Sequence, residues 1–267
     1  MKLSRMAAIP LRQFYLYRGS AARVVPLFAW VTIDMVLWGF MARFLSGMEH
    51  TQYRFVPALL GAVLFWDFMT RVMQGVTTAF FEDVWSRNFL NVFASPITMP
   101  EYIGGLLASS IATSLVGLVV MIIVATLAFG LSFAAYGAML AGFVMVLFLF
   151  GMALGVAAIA IVLRMGPAAE WFVWPIPALL SPFAAVYYPL STLPRPMQWF
   201  SRLLPPSYVF EGMRAVVAGR HFDGALLAIA FALSIVYLLL AYWIFARVFR
   251  YAVATGLIAR YSAESVS

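Results

Sequence analysis

Residues 102–163 run for 62 positions without one charged side chain. An apolar helix of about 20 residues crosses the hydrocarbon core of a bilayer. The stretch therefore has room for two crossings, with a turn near residues 130–137. Lipid offers no hydrogen bonds to peptide groups, so each crossing has to satisfy its own backbone, which a helix does. The rest of the 267 residues continues the pattern. Hydrophobic residues make up 65% and charged residues 10%, which excludes a soluble globular domain. A single membrane domain over 1–267 is expected, with no internal repeat or low-complexity linker.

The charges that remain divide the chain into spans. Residues 24–42 are apolar apart from Thr32 and Asp34, and residues 54–81 hold a second apolar run, interrupted by Asp67 and Arg71. Residues 171–194 are uncharged but carry Pro175, Pro177, Pro182 and Pro189, so this fifth crossing is predicted to be kinked or broken. Residues 225–246 form the sixth. The expected fold is all-α, a polytopic membrane protein with six transmembrane helices. Six crossings put both termini on one side. With both cytoplasmic, 11 of the 17 basic residues fall inside and 6 outside, and Lys2, Arg5, Arg12, Arg18 and Arg23 all precede the first span.

Polar groups within these spans are candidates for function. A carboxylate at mid-membrane costs about 3 kcal/mol, so Asp34 should face protein or water, as a pathway or dimer-interface group or as a structural partner. Asp67 and Arg71, four apart, can pair along one helical face, and mutual compensation is favoured over a proton relay. Gly151 and Gly155 form a small-xxx-small pattern that permits close helix approach.

Three segments flank the spans. Residues 11–18, following Pro10, combine Leu11, Phe14 and Tyr15 with Arg12 and Arg18, which suits an interfacial helix over about 10–19. Residues 81–93 read as an amphipathic helix. Phe81, Trp85, Phe89 and Val92 fall on one face, and Glu82, Asp83, Ser86 and Arg87 on another. Ser95 and Pro96 end it, and Thr98 with Glu101 forms a capping box that opens the third span. A shorter cytoplasmic turn spans 164–170, from Arg164 to Glu170. Between spans five and six, residues 196–204 and 208–218 are two short helical patterns separated by Pro205 and Pro206. Ser207 is expected to cap the second and Gly219 to end it. Neither piece can cross a bilayer, so 195–219 is predicted to be a re-entrant hairpin on the outer face, with Glu211 and Arg214 paired.

Much is excluded. There is no cysteine, and His50 and His221 are the only histidines, so no metal site is expected. The net charge of +7 has no dense Lys/Arg tract behind it, which speaks against nucleic acid. A P-loop needs a lysine after its second glycine, and Lys2 is the only lysine. No catalytic residue, cofactor site or cleaved signal peptide is expected.

The segments YYPLSTLP at 187–194, LPPSYVFEGMR at 204–214 and FASPITMPEY at 93–102, in this setting, resemble the permease subunit of type 2 ABC exporters. That family includes antibiotic-resistance, nodulation-factor and O-antigen exporters. The resemblance covers essentially the whole chain. It implies a separate ATP-binding subunit that holds ATP and Mg, a second permease copy (most simply a homodimer) and a bacterial inner-membrane location with surrounding lipids. It makes 81–93 the main coupling helix to the ATPase subunit, with Phe81, Glu82, Asp83, Trp85, Arg87 and Phe89, and 164–170 the minor one, with Arg164 and Glu170. Pro205, Pro206, Glu211 and Arg214 would belong to the hairpin that closes the external end. Asp34, Asp67 and Arg71 match no family motif. The implied cargo is amphipathic or lipid-linked, such as a drug, a lipid or a lipo-oligosaccharide. Polysaccharide export is the alternative, in which Trp171, Trp174 and Tyr187 would line the path. An anchor of a maturation complex, a membrane enzyme and a secondary transporter are the rival classes. The last should show paired broken helices in two similar halves.

Overall fold

A computed structural model of the chain describes residues 2–48, 55–86, 88–130 and 133–257. The described residues form helices α1 (Leu3–Arg18), α2 (Ala21–Met48), α3 (Phe55–Trp85), α4 (Phe89–Ala94), α5 (Met99–Phe129) and α6 (Met139–Met165). Two short helices follow, α7 (Glu170–Val173) and α8 (Ile176–Leu180). The chain continues through α9 (Arg195–Ser201) and α10 (Pro205–Val217) to α11 (Gly224–Ala254). No strand occurs among the described residues.

Among the described residues four helices are long and apolar enough to cross a membrane: α2 over Ala21–Phe44, α5, α6 and α11. The expectation of six such helices is met by four. α3 is as long as α5 at 31 residues, but Asp67, Arg71 and Gln74 interrupt its apolar run. The fifth expected crossing is broken, as its prolines predict. α7 and α8 have four and five residues, and turns follow to Tyr188. Each proline removes a backbone donor and crowds the preceding turn, so no long helix survives there.

The helix ends follow local chemistry. The Thr98 N–H donates to Glu101 Oε2 at 2.9 Å, closing the capping box that starts α5. α5 ends at Gly130, whose φ of +68° suits glycine. α1 begins at Leu3 rather than near Pro10, and Pro10 lies inside it. Its first turn is held from outside: the Lys2 N–H donates to Glu101 Oε1 at 2.6 Å, and the Arg5 guanidinium donates to the Pro96 carbonyl. Pro205 and Pro206 do not separate two helices. They form the first turn of α10, where their missing N–H groups are no loss. Ser207 accordingly is not the cap. Its hydroxyl donates back to the carbonyls of Ser201 (2.7 Å) and Leu204 (2.8 Å), tying α9 to α10.

α6 sits at the centre. On one side Gly151 and Gly155 let it lie directly against α3: a methyl group at Gly151 would stand 2.7 Å from the Met69 carbonyl oxygen. On the other side the Ser234 hydroxyl of α11 donates to the Val146 carbonyl at 3.2 Å, and Tyr237 meets Phe150 edge-on. One core cluster surrounds Phe65, Tyr136, Phe143 and Phe210, and a second surrounds Phe80, Tyr102, Ile159 and Phe245. α2 packs along the outside of this bundle and leaves Trp30, Leu37, Phe40 and Phe44 exposed.

Candidate functional site

α3 carries Asp67, Thr70, Arg71, Gln74, Thr78 and Glu82 at helical spacing, a polar stripe along one face of a long helix. Opposite it, α2 supplies Arg23, Trp30 and Asp34, α1 supplies Tyr17, and Trp174 follows α7. Together they line a cavity of about 510 Å³. Arg71 interacts electrostatically with both Asp34 and Asp67, so the structure joins three groups that sequence spacing joined only in part. Asp67 Oδ2 and Thr70 Oγ1 are buried with no hydrogen-bond partner among the described residues. Polar atoms in that state call for water or a polar ligand. At one end of the cavity Arg23 pairs with Glu82 at 3.3 Å. Burial raises the pKa of the neighbouring Tyr17 hydroxyl, and Glu82 adds to the rise against an opposing pull from Arg23, so the phenol is neutral. Asp67 and Arg71 on α3 and the mid-span carboxylate Asp34 on α2 were the available sequence signals for this cavity; Tyr17, Arg23 and Trp30 gave none.

The single helix expected over 81–93 is two pieces. α3 continues to Trp85, the chain turns, and α4 is a separate short helix. Phe81 and Asp83 are buried, so they support this surface from within. Asp83 accepts hydrogen bonds from the Arg12 guanidinium and, at 2.8 Å, from the Tyr102 hydroxyl. Burial disfavours the Arg12 charge, but the bond to Asp83 and its field outweigh that and raise the pKa. Trp85 is exposed and donates through Nε1 to Glu170 Oε2 at 2.9 Å, while Trp174 donates to Glu170 Oε1 at 3.3 Å. The end of α3 and the 164–170 turn are thereby linked. Arg164 places its guanidinium 3.9 Å from the ring centroid of Tyr251. Phe89 opens α4, and Arg87 lies outside the described residues.

At the opposite end, Glu211 and Arg214 pair at 2.8 Å as their spacing predicts, and both also hold the preceding loop. Arg214 donates to the Val186 carbonyl at 3.1 Å, and the Leu190 N–H donates to Glu211 Oε1 at 2.7 Å. The loop includes Ala185 at a φ of +52°, strained for a residue with a side chain. Tyr187 stacks on Trp38 with centroids 5.1 Å apart. Trp171 is 80% exposed and lines no described cavity. Among the described residues no cluster of three or more His, Asp or Glu side chains is placed to hold a metal.

The sequence matches one family model, described as ABC-2 type transporter, over residues 14–218. This is well over half of the chain, from within α1 to the end of α10. No curated protein compared with the chain matched it.

Proposed function

The chain belongs to the ABC-2 type transporter family, and we propose that it is the permease of an ATP-driven exporter whose cargo is amphipathic or lipid-linked. Members of this family are membrane permease components of ABC transporters. They are transport subunits, not catalytic ATPases, and they normally work with an ATP-binding subunit. In this reading ATP and Mg are bound entirely by that partner, and two permease copies enclose the pathway. The chain lies in a bacterial inner membrane with both termini cytoplasmic, and the 195–219 hairpin closes the external end.

The cavity on the α3 stripe carries the proposal. Its walls combine charge (Asp34, Asp67 and Arg71) with aromatic surface (Trp30 and Trp174), and such a lining suits cargo that has a polar head and an apolar body. Exposed Trp171, Phe172 and Leu179, on the segment that contributes Trp174 to the cavity, support a second copy packed against this side. Energy would enter through exposed Trp85 and α4. α3 is continuous from Trp85 to the stripe, so a push at its end is felt at Glu82, Arg71 and Asp67 as one rigid displacement. The ATPase subunit has to contact the two states of this end differently for coupling to occur.

The test is reconstitution with the ATP-binding subunit in vesicles, comparing wild type with Asp67→Asn and with Glu82→Lys. Asp67→Asn is expected to abolish cargo-stimulated ATPase while basal hydrolysis and complex formation persist. Glu82→Lys is expected to uncouple hydrolysis from transport. Cargo movement by the purified chain without the ATPase subunit would sink the reading.

A further inference from the structure

A second cavity, of about 430 Å³, lies between α1, α2, α3 and α5 and shares one wall with the cavity on the α3 stripe. Phe14, Val24, Phe28 and Val116 give it apolar walls, and small residues on α5 leave the space open. A methyl group at Gly117 would stand 3.2 Å from Cδ of Arg71, so the aliphatic stem of that arginine forms part of the wall. Along α5 the lining runs from Ser109 to Gly117, about 12 Å of helix rise. One side chain on the wall is out of place. Gln13 is only 4% exposed, and its Nε2 is buried without a hydrogen-bond partner.

We propose that this groove holds one acyl chain of a membrane phospholipid, with the ester carbonyl accepting a hydrogen bond from the Gln13 amide. Three observations select that occupant. The walls are apolar and long in one direction, the shape of a hydrocarbon chain. The unsatisfied donor is neutral, so it matches a neutral carbonyl rather than a phosphate. α1 carries an exposed Arg18 beside exposed Phe14 and Tyr15, which hold a helix near the headgroups and put a groove beneath it at a lipid's glycerol esters. The lipid would act as a structural wedge between α1 and the spans. Tyr17, Arg71, Gln74 and Thr78 line both this groove and the Asp34–Asp67 cavity, so the wedge would steady one wall of the pathway.

The experiment uses the purified complex and a diester phospholipid bearing a photoreactive diazirine in one acyl chain. Label is expected on peptides covering residues 10–17 and 109–117. Ala112 is exposed to the groove, and Ala112→Phe should fill it and cut that labelling about tenfold, while labelling around Leu239 on α11 stays constant. The diester lipid should compete about tenfold better than its diether analogue, the difference one neutral hydrogen bond makes, and Gln13→Leu should erase that preference. Equal competition by diester and diether in the wild type overturns the role of Gln13. Unchanged labelling in Ala112→Phe shows annular lipid only and overturns the site. The proposal requires only that the chain sits in a bilayer, so its failure leaves the exporter reading intact.

Discussion

Asp83 is the residue on which the end of α3 turns. Its two oxygens take an arginine from α1 and a tyrosine from α5, so a single carboxylate fastens three helices. Removing one partner of a buried ion pair leaves the other charge uncompensated, at about 3–5 kcal/mol for full burial. Arg12 is 31% exposed, so water screens part of that loss. Asp83→Ala is expected to cost about 2 kcal/mol, read as a lower melting temperature in detergent. Combining Asp83→Leu with Arg12→Met should recover most of it, because the pair is then replaced by apolar packing. If the double variant melts below both single variants, the carboxylate is not acting through Arg12. Sequence placed Asp83 on a polar, outward face because local periodicity says nothing about a partner 71 residues away.

At the scale of elements, the contact between α6 and α3 depends on two glycines. A methyl at Gly155 would meet Val76 Cβ at 2.7 Å, and Gly151 is equally tight against backbone, so neither position can yield by a side-chain rotation alone. Gly151→Val is expected to lower stability by about 2–3 kcal/mol and to loosen α3, seen as faster hydrogen exchange over residues 65–76. Unchanged exchange there would mean that α3 and α6 do not pack this way in the bilayer. The close approach at Gly151 and Gly155 was legible beforehand, though not its partner α3, as were the capping box at Thr98 and Glu101 and the broken fifth segment. Each signal is a local pattern within one stretch of sequence. The break between α3 and α4 was not legible: Ser86 and Asn88 are weak breakers, and the apolar period of Phe81, Trp85, Phe89 and Val92 runs straight through it. In the structure the Asn88 N–H donates to the Asp83 carbonyl at 3.0 Å, one residue too wide for an α-helical turn, and the helix stops. The meeting of Asp34 with Asp67 and Arg71 was equally hidden, because it depends on how α2 lies on α3. Gln13 gave no signal at all, since one amide in a basic amphipathic segment reads as solvated.

For the whole molecule, the question is which surface faces a second copy and which faces lipid. Exposed apolar side chains fall on α1, α2, α5, the fifth segment, α9 and α11, and exposure alone does not rank these faces, because lipid covers an apolar face as well as protein does. Geometry ranks them. The cavity opens between α2, α3 and the fifth segment, so a partner that completes a pathway has to cover that side, whereas α11 lies across α6 from α3. The chain has no cysteine, so single-cysteine variants report proximity without background. In a two-fold dimer a residue near the axis meets its own copy, and a disulfide forms only where the two Cα atoms come within about 7 Å. Scanning cysteines through Trp171, Phe172 and Leu179, with Leu239 on α11 as the comparison, should give oxidative dimers in native membranes from at least one position of the fifth segment and none from Leu239. Crosslinking at Leu239 alone would place the second copy on the opposite face. The Asp34–Asp67 cavity would then open onto lipid instead of a shared path.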